Sequence, residues 1–433
     1  MLQTLKNAWK IPELKQKLLF VVLIVVLYRF GSQVPVPFID ATVLSNFMAN
    51  NAAGSLFAYL NILSGEAFSR ATLFALSVSP YITASIVMQL LTIAIPALEK
   101  IAKEGEEGRK KIDRYTRWVT VGLGLLTAYG YYAYMKNTVG AVTEFGSTVL
   151  GGIVIVACYG AGAALLMWLC DKIEQYGIGN GISIILFFSI VSTGFSTAET
   201  IFNQYKAGGW NILFATLSIV IGIAIITFVV FFTNSERRLP VQYAKRVVGR
   251  KMYGGQSSNL PIKLNMAGVM PIIFAQSIVA LPQTLYLIFP SKTNSGWWYN
   301  FVTKYCTATS WLYILVFAIL IIAFSYFYIA ITFDPIEVSN NLKKNGGFIP
   351  GIRPGKPTAD YIRKTLNRIT LIGGIFLLFV SVFPMIINAC LRNQLGALAF
   401  GGSSLLIVVG VALETAREIE AQMTMRHYKG FLE

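Results

Sequence analysis

Ten stretches of this sequence are apolar for long enough to cross a lipid bilayer, and no other feature constrains the fold as strongly. They lie at about 18–36, 71–96, 117–136, 149–170, 181–203, 210–233, 267–289, 310–333, 369–389 and 396–414. A helix needs roughly 20 apolar residues to span the hydrocarbon core. Because 55% of the 433 residues are apolar and only 13% are charged, a soluble or disordered chain is excluded. The pattern predicts an all-α polytopic membrane protein with ten transmembrane helices.

The distribution of lysine and arginine predicts how these spans are oriented. The side that holds both termini carries 29 of the 36 basic residues, the opposite side carries six, and Arg29 lies within the first span. Such an excess marks cytoplasmic loops. Both termini are therefore expected in the cytoplasm. The net charge of +16 reflects these loops and does not require nucleic-acid binding.

Ten spans can form two halves of five, and the second half is then inverted because five is odd. We assign 18–203 to the first half and 204–414 to the second, with a cytoplasmic tail at 415–433. Inverted repeats place a functional site near the midplane between the halves. Residues 1–17 are either an interfacial amphipathic segment or an ordinary basic anchor, and no removable signal peptide is expected. The apolar stretch 55–64 is too short to cross and predicts a re-entrant or buried half-helix.

Motifs for enzymatic or ion-coupled chemistry do not occur in the sequence. There is no GxSxG, HExxH or P-loop motif, no acidic pair lies within the spans, and the four cysteines form no CxxC. We expect no enzyme, metal or cofactor, and we interpret Arg29 as a snorkelling or backbone-capping residue. A secondary transporter of small solutes remains an alternative, because ten spans in two inverted halves also fit that class of protein. A membrane-embedded enzyme is a more distant one.

Two long basic segments lie on the cytoplasmic side, within the loops 234–266 and 334–368. The first alternates basic, aromatic and β-branched residues around glycines, which predicts a protruding hairpin. Residues 334–357 are rich in Gly and Pro turn signals. Both loops suit docking of a cytosolic partner, such as one rich in RNA, although they could also be ordinary topology-setting loops.

Six motifs, in order and on the expected sides, resemble those of the bacterial SecY family, the channel subunits of the Sec protein translocon. They are GSQVPVPFID (31–40), LSGEAFSRATLFALSVSPYITASIVMQLLT (63–92), GIGNGISII (177–185), LPIKLNMAGVMPIIFA (260–275), NNLKKNGGFIPGIRPGKPTADYI (340–362) and FGGSSLLIVVGV (400–411). The resemblance runs from the first span to the last. It implies a clamshell of two five-helix halves around a protein-conducting pore that releases transmembrane segments sideways into lipid.

The resemblance also implies a pore ring and a plug. The ring of apolar side chains would be Val78, Ile82, Leu186, Ile190, Ile273 and Ile407. Such a constriction excludes ions by dewetting yet yields to a passing chain. A re-entrant plug at 55–70 would fill the external funnel of the idle channel, and its central residues would be Leu60, Asn61, Ile62, Leu63, Ser64 and Gly65.

The family's lateral gate lies between spans 2–3 and 7–8. In this sequence it would include Ser79, Pro80, Gln89 and Ser277. Pro80 favours a kink within the second span because proline cannot donate to the helical ladder. The polar side chains of Gln89 and Ser277 would bond across the closed seam or form ordinary interhelical hydrogen bonds.

The partners implied by the resemblance are mostly other components of the secretion machinery. They are SecE- and SecG-like small membrane subunits, the SecA motor ATPase, the ribosome through its rRNA, preprotein signal sequences, SecDF, YidC and membrane lipids. Arg246, Arg250 and Arg353 would dock an acidic partner or rRNA phosphate in a salt-sensitive way. The implied location is the plasma membrane.

Overall fold

The computed structural model describes residues 8–51, 61–207, 210–243, 246–248, 251–253, 257–288, 297–306, 310–390 and 401–429. Within these ranges most residues are helical. The helices, in chain order, are α1 (Pro12–Gly31), α2 (Ala41–Asn51), α3 (Ser79–Ala94), α4 (Pro96–Lys103), α5 (Glu106–Tyr134), α6 (Val149–Tyr176), α7 (Gly181–Ala207), α8 (Trp210–Asn234), α9 (Met270–Ile288), α10 (Trp297–Tyr305), α11 (Trp311–Thr332), α12 (Pro335–Lys344), α13 (Lys356–Cys390) and α14 (Gly401–Lys429). A π-helical turn, Met135–Val139, extends α5.

Each of the ten predicted spans overlaps one long helix. These helices are α1, α3, α5, α6, α7, α8, α9, α11, α13 and α14. Among the described residues, three stretches are long and apolar enough to cross a membrane by length and composition, namely Val149–Tyr176, Trp311–Lys344 and Lys356–Ile387. A fourth qualifies if the bent pair α3–α4 is counted as one span. Shorter apolar helical stretches lie at Gly181–Phe195, Ile219–Asn234 and Met270–Tyr286.

The second predicted span differs from the observed helix at its start. Residues 73–78 form turns, and α3 begins at Ser79 with Pro80 in its first turn. The predicted kink at Pro80 is therefore wrong. Proline lacks only an N–H that the first helical turn leaves unbonded, and its fixed φ suits that position. The chain bends instead at Ile95, where α3 and α4 meet at 100°.

Three helices continue more than ten residues beyond the apolar stretches that predicted them. Helix α5 begins 11 residues before position 117, at Glu106, and α13 begins 13 residues before position 369, at Lys356. Helix α14 continues to Lys429, so most of the predicted tail 415–433 is helical. These extensions are charged and amphipathic, and a search for continuous apolar runs does not detect them.

The predicted hairpin at 234–266 is present. Strand β1 (Glu236–Tyr243) pairs antiparallel with β4 (Ser257–Lys263), and between them β2 (Arg246–Val248) pairs with β3 (Lys251–Tyr253). The short strand β5 (Gly347–Phe348) adds to the free edge of β1. This pairing joins the two long basic loops into one unit.

The second loop is more ordered than its turn signals suggest. Asp334 caps α12 by accepting a hydrogen bond from Ile336 N at 2.8 Å. Apolar residues from β1, β4 and the loop then pack on the N-terminal part of α13, and the buried members are Leu239, Ile262, Ile349, Ile362, Leu366 and Ile369. The loops therefore form a small folded layer with its own core.

The main core lies where the two predicted halves meet. A single cluster of buried apolar residues draws on α1, α3, α6 and α7 from the first half and on α8, α9, α11, α13 and α14 from the second. A second cluster joins residues 36–44 and 68–75 to the facing ends of α5 and α6. Because α9 packs against both α3 and α5, the halves are in contact along the predicted gate.

Candidate functional site

The six aliphatic residues predicted to form a ring are all buried in the main core. Their exposed fractions are 1% for Val78, 4% for Ile82, 1% for Leu186, 7% for Ile190, 4% for Ile273 and 1% for Ile407. They come from the turn before α3 and from α3, α7, α9 and α14. Four separate parts of the chain thus place apolar side chains in one continuous cluster.

A cavity of about 190 Å³ lies beside this cluster. Ile82, Leu186, Ile273 and Ile407 line it, together with Leu63 from the predicted plug. Ser79, Pro80 and Ser277 from the predicted gate line it as well. Val78 and Ile190 do not line the cavity, although they belong to the same cluster. The structure thus brings residues from the predicted ring, plug and gate to one apolar space.

The predicted plug is described from Asn61 onward, and Leu60 lies outside the described residues. Residues 61–63 are helical, and Gly65 follows with a φ of +63°. Gly65 N donates to Ile62 O at 3.1 Å and Glu66 N donates to Asn61 O at 2.9 Å. This pair of bonds is the Schellman motif that ends a helix at a left-handed glycine. The sequence therefore ends the half-helix at Gly65.

Polar side chains from other elements contact the end of this half-helix. Ser77 Oγ donates to the carbonyl oxygen of Leu63 at 2.9 Å, and the Tyr28 hydroxyl donates to the carbonyl oxygen of Ser64 at 3.2 Å. The Tyr28 oxygen also lies 2.6 Å from Ser189 Oγ. The sequence analysis did not identify Ser77 and Tyr28 as functional residues. The only signal for them in the sequence is a hydroxyl group among apolar neighbours.

The charged groups near the plug have different environments. Arg29 Nη1 is buried beside Gly65 and has no hydrogen-bond partner among the described residues. Its predicted role as a backbone cap is therefore not seen within the described part of the chain. Glu66 forms an ion pair with Arg70 at 2.8 Å, and Arg70 also donates to Gln33 at 3.3 Å.

The predicted gate residues take different positions on their helices. Ser79 and Pro80 begin α3 and line the cavity, as does Ser277 on α9. Gln89 is exposed near the far end of α3 and donates to Ser85 Oγ at 3.4 Å, while Ser277 Oγ donates to Ile273 O at 2.8 Å. Both bonds lie within a single helix. The predicted bond across the seam, or between helices, is not among them.

Two of the three predicted docking arginines, Arg353 and Arg246, lie within the described residues. Arg353 is exposed in the turn before α13, where its carbonyl oxygen accepts from Thr358 Oγ1 at 2.8 Å. The backbone of Arg246 lies in strand β2, and Arg250 lies outside the described residues. The pairing of β5 with β1 fixes the Arg353 turn relative to the hairpin.

The family model that describes SecY matches residues 72–416 of this chain. The protein translocase subunit SecY of Streptomyces coelicolor is 43% identical over 447 residues, and the match covers 100% of both chains. SecY of Mycobacterium tuberculosis is 40% identical over 451 residues, again across 100% of both chains.

Solved channel structures share the fold of this chain. One is a SecY whose plug domain is reported to stabilise the closed state of the translocation channel, with a TM-score of 0.65 and 20% identity over 94% of this chain and 92% of that one. Another is the Sec61 channel from a canine ribosome–channel complex, with a TM-score of 0.59 and 18% identity over 94% of this chain and 92% of that one.

Proposed function

This chain belongs to the SecY family of protein-translocase channel subunits, and from that premise we propose how its own residues carry out translocation. Members of this family are subunits of a membrane channel and are not enzymes. In our proposal, unfolded preproteins cross the membrane through the ring formed by Val78, Ile82, Leu186, Ile190, Ile273 and Ile407. Transmembrane segments leave sideways into lipid.

One observation carries the proposal, namely the cavity of about 190 Å³ that ring, plug and gate residues share. A solute transporter would need polar or charged groups at its midplane site, whereas this cavity is lined mainly by aliphatic side chains. An apolar constriction blocks hydrated ions because water leaves it readily. Flexible aliphatic side chains can still move aside for a polypeptide.

The gate in this proposal opens between α3–α5 and α9–α11. In the structure α9 packs against both α3 and α5. In our proposal this contact is the closed seam. A signal sequence would open the seam by binding the open arrangement more tightly than the closed one, because a ligand shifts an equilibrium only through such a difference in affinity. The segment 55–70 would close the external funnel until then.

The partners in this proposal are the SecE- and SecG-like subunits, SecA and the ribosome. The folded layer formed by the hairpin and the 334–368 loop presents basic side chains, among them Arg353, on one face of the protein. Those side chains would contact acidic residues of the motor or phosphates of rRNA, and salt would weaken the contact. The excess of positive charge on one side supports both termini in the cytoplasm, and membership of the bacterial family supports the plasma membrane.

The proposal is tested by uptake of a signal-bearing preprotein into proteoliposomes that hold this chain, SecE- and SecG-like subunits and SecA. We expect ATP-dependent protection of the preprotein from added protease, and we expect Arg353→Glu to abolish it. Lys304→Glu is the matched control because Lys304 is also exposed but lies on the predicted outer side. If vesicles with the wild-type chain gave the preprotein no protection while a known translocon worked in parallel, the proposed function would be contradicted.

A further inference from the structure

We infer that Ser77 and Tyr28 latch the plug in its closed position and that Ser77 couples this latch to the start of the gate helix. The inference rests on the proposed function, because it takes residues 61–70 as part of the plug and α3 as a gate helix. It names two positioning residues that act through the plug and touch no substrate.

The geometry of the half-helix end explains why a latch is needed at Leu63. The Schellman motif uses the carbonyl groups of Asn61 and Ile62 and leaves that of Leu63, the next residue, without a partner inside the motif. Leu63 is only 6% exposed. A buried carbonyl without a partner is costly, and the Ser77 hydroxyl meets this need at 2.9 Å.

Tyr28 provides a second contact, from a different element. It is 0% exposed, and its hydroxyl links the Ser64 carbonyl to Ser189 on α7. The ring of Tyr28 stacks on Phe74 with centroids 5.8 Å apart, which fixes the position of the hydroxyl. The plug end is thus bonded both to α1 and to the turn before α3.

The position of Ser77 ties the latch to the gate. Ser77 comes immediately before the ring residue Val78 and two residues before the start of α3 at Ser79. Its φ is +52°, a left-handed conformation that is strained for a residue other than glycine. A movement of α3 that lets Ser77 return to an ordinary conformation would release this strain and withdraw the hydroxyl from Leu63. Opening of the gate would thereby free the plug.

The test measures the idle channel, with no SecA and no preprotein present. The complete complex is placed in planar bilayers, and its open probability is recorded for Ser77→Ala and for Tyr28→Phe. Loss of one hydrogen bond should raise the open probability about fivefold to tenfold. Ser325→Ala and Tyr132→Phe are matched controls, because each removes a buried hydroxyl that bonds a carbonyl oxygen away from the plug. The controls should leave the idle channel closed.

A second measurement separates failure of the latch from failure of the proposed function. Hydrogen–deuterium exchange of residues 61–71 in the detergent-solubilised complex reports on the half-helix end whether or not the protein transports anything. We expect faster exchange there in Ser77→Ala and Tyr28→Phe than in the controls. Suppose that the wild type transports preprotein while both variants show unchanged exchange and unchanged idle current. That result would overturn the latch and leave the proposed function intact. Absence of wild-type transport would instead count against the function, while exchange would still decide on the latch.

Discussion

Arg117 on α5 and Asp171 on α6 form an ion pair with 2.8 Å between Arg117 Nε and Asp171 Oδ2. The other carboxylate oxygen, Oδ1, accepts a hydrogen bond from the Tyr81 hydroxyl on α3 at 3.3 Å. Tyr81 directly precedes the ring residue Ile82. One carboxylate therefore bonds to two neighbouring helices, and one of them begins at the predicted gate.

Replacing Asp171 by Asn should destabilise this junction. The Asp171 side chain is only 12% exposed, so the loss leaves Arg117 and Tyr81 without their charged acceptor and should cost about 1–2 kcal/mol. The thermal unfolding midpoint of the purified complex measures this loss. Glu99→Gln is the matched control, because Glu99 and Lys103 form a pair whose side chains are 48% and 74% exposed and which contributes little. An equal effect of both changes would argue against a special role for the junction.

The sequence predicted the helices well wherever a helix coincides with an apolar run. Helices α6, α7 and α8 begin within a residue of their predicted starts because each begins where polar residues give way to apolar ones. The apolar run that begins at residue 71 does not correspond to helix until Ser79. There the turns contact residues distant in sequence: the ring of Tyr28 stacks on Phe74, and Ser77 donates to the carbonyl oxygen of Leu63, and hydropathy does not encode such contacts.

The candidate site could be predicted in its apolar part and not in its polar part. The ring residues were carried over from a family resemblance, and burial in one cluster is consistent with that role. Ser77 and Tyr81 lie within the motif at 63–92, but the resemblance assigns them no role, and Tyr28 and Asp171 lie outside all six motifs. The hydrogen bonds of these residues join positions 14, 36 or 90 residues apart in sequence. Pairings over such distances follow from the packing of the helices and cannot be derived from local pattern.

A polar residue in the ring should make the idle channel leak ions. Leu186→Asn places a carboxamide at the apolar cavity, where it would hydrate the constriction and weaken its exclusion of ions. Ile184→Asn is the control, because Ile184 is on the same helix and equally buried but lines a separate groove formed with α1 and α14. Potassium efflux from vesicles should rise for Leu186→Asn alone. A similar rise for both would indicate general disruption of α7.

Replacement of Gly162 or Gly122 by alanine should affect the stability of the protein differently. A Cβ at Gly162 on α6 would collide with the backbone carbonyl of Leu73, in the turns between plug and gate. A Cβ at Gly122 on α5 would meet nothing within 4 Å. Gly162→Ala should therefore lower the yield of folded complex sharply, whereas Gly122→Ala should be neutral or stabilising by about 1 kcal/mol. The yield of folded complex and its thermal unfolding midpoint are measured for both variants. A well-folded Gly162→Ala protein would contradict the close approach of α6 to these turns.

The pKa of Lys263 should respond to the charge on Arg417. Arg417 on α14 donates to Thr233 O at 3.0 Å and to Asn234 Oδ1 at 2.8 Å, at the end of α8, which holds the guanidinium near β4. Burial lowers the pKa of Lys263, and the positive Arg417 lowers it further, whereas Glu414 and Glu236 act in the opposite direction. A lowered pKa means a larger neutral fraction at any pH below the ordinary lysine value.

Arg417→Gln should raise the pKa of Lys263 and so slow its acetylation at mildly alkaline pH, measured by peptide mass spectrometry. Arg363→Gln, which removes an exposed arginine of α13, serves as the control. Equal acetylation rates in the two variants would show that Arg417 does not act on Lys263.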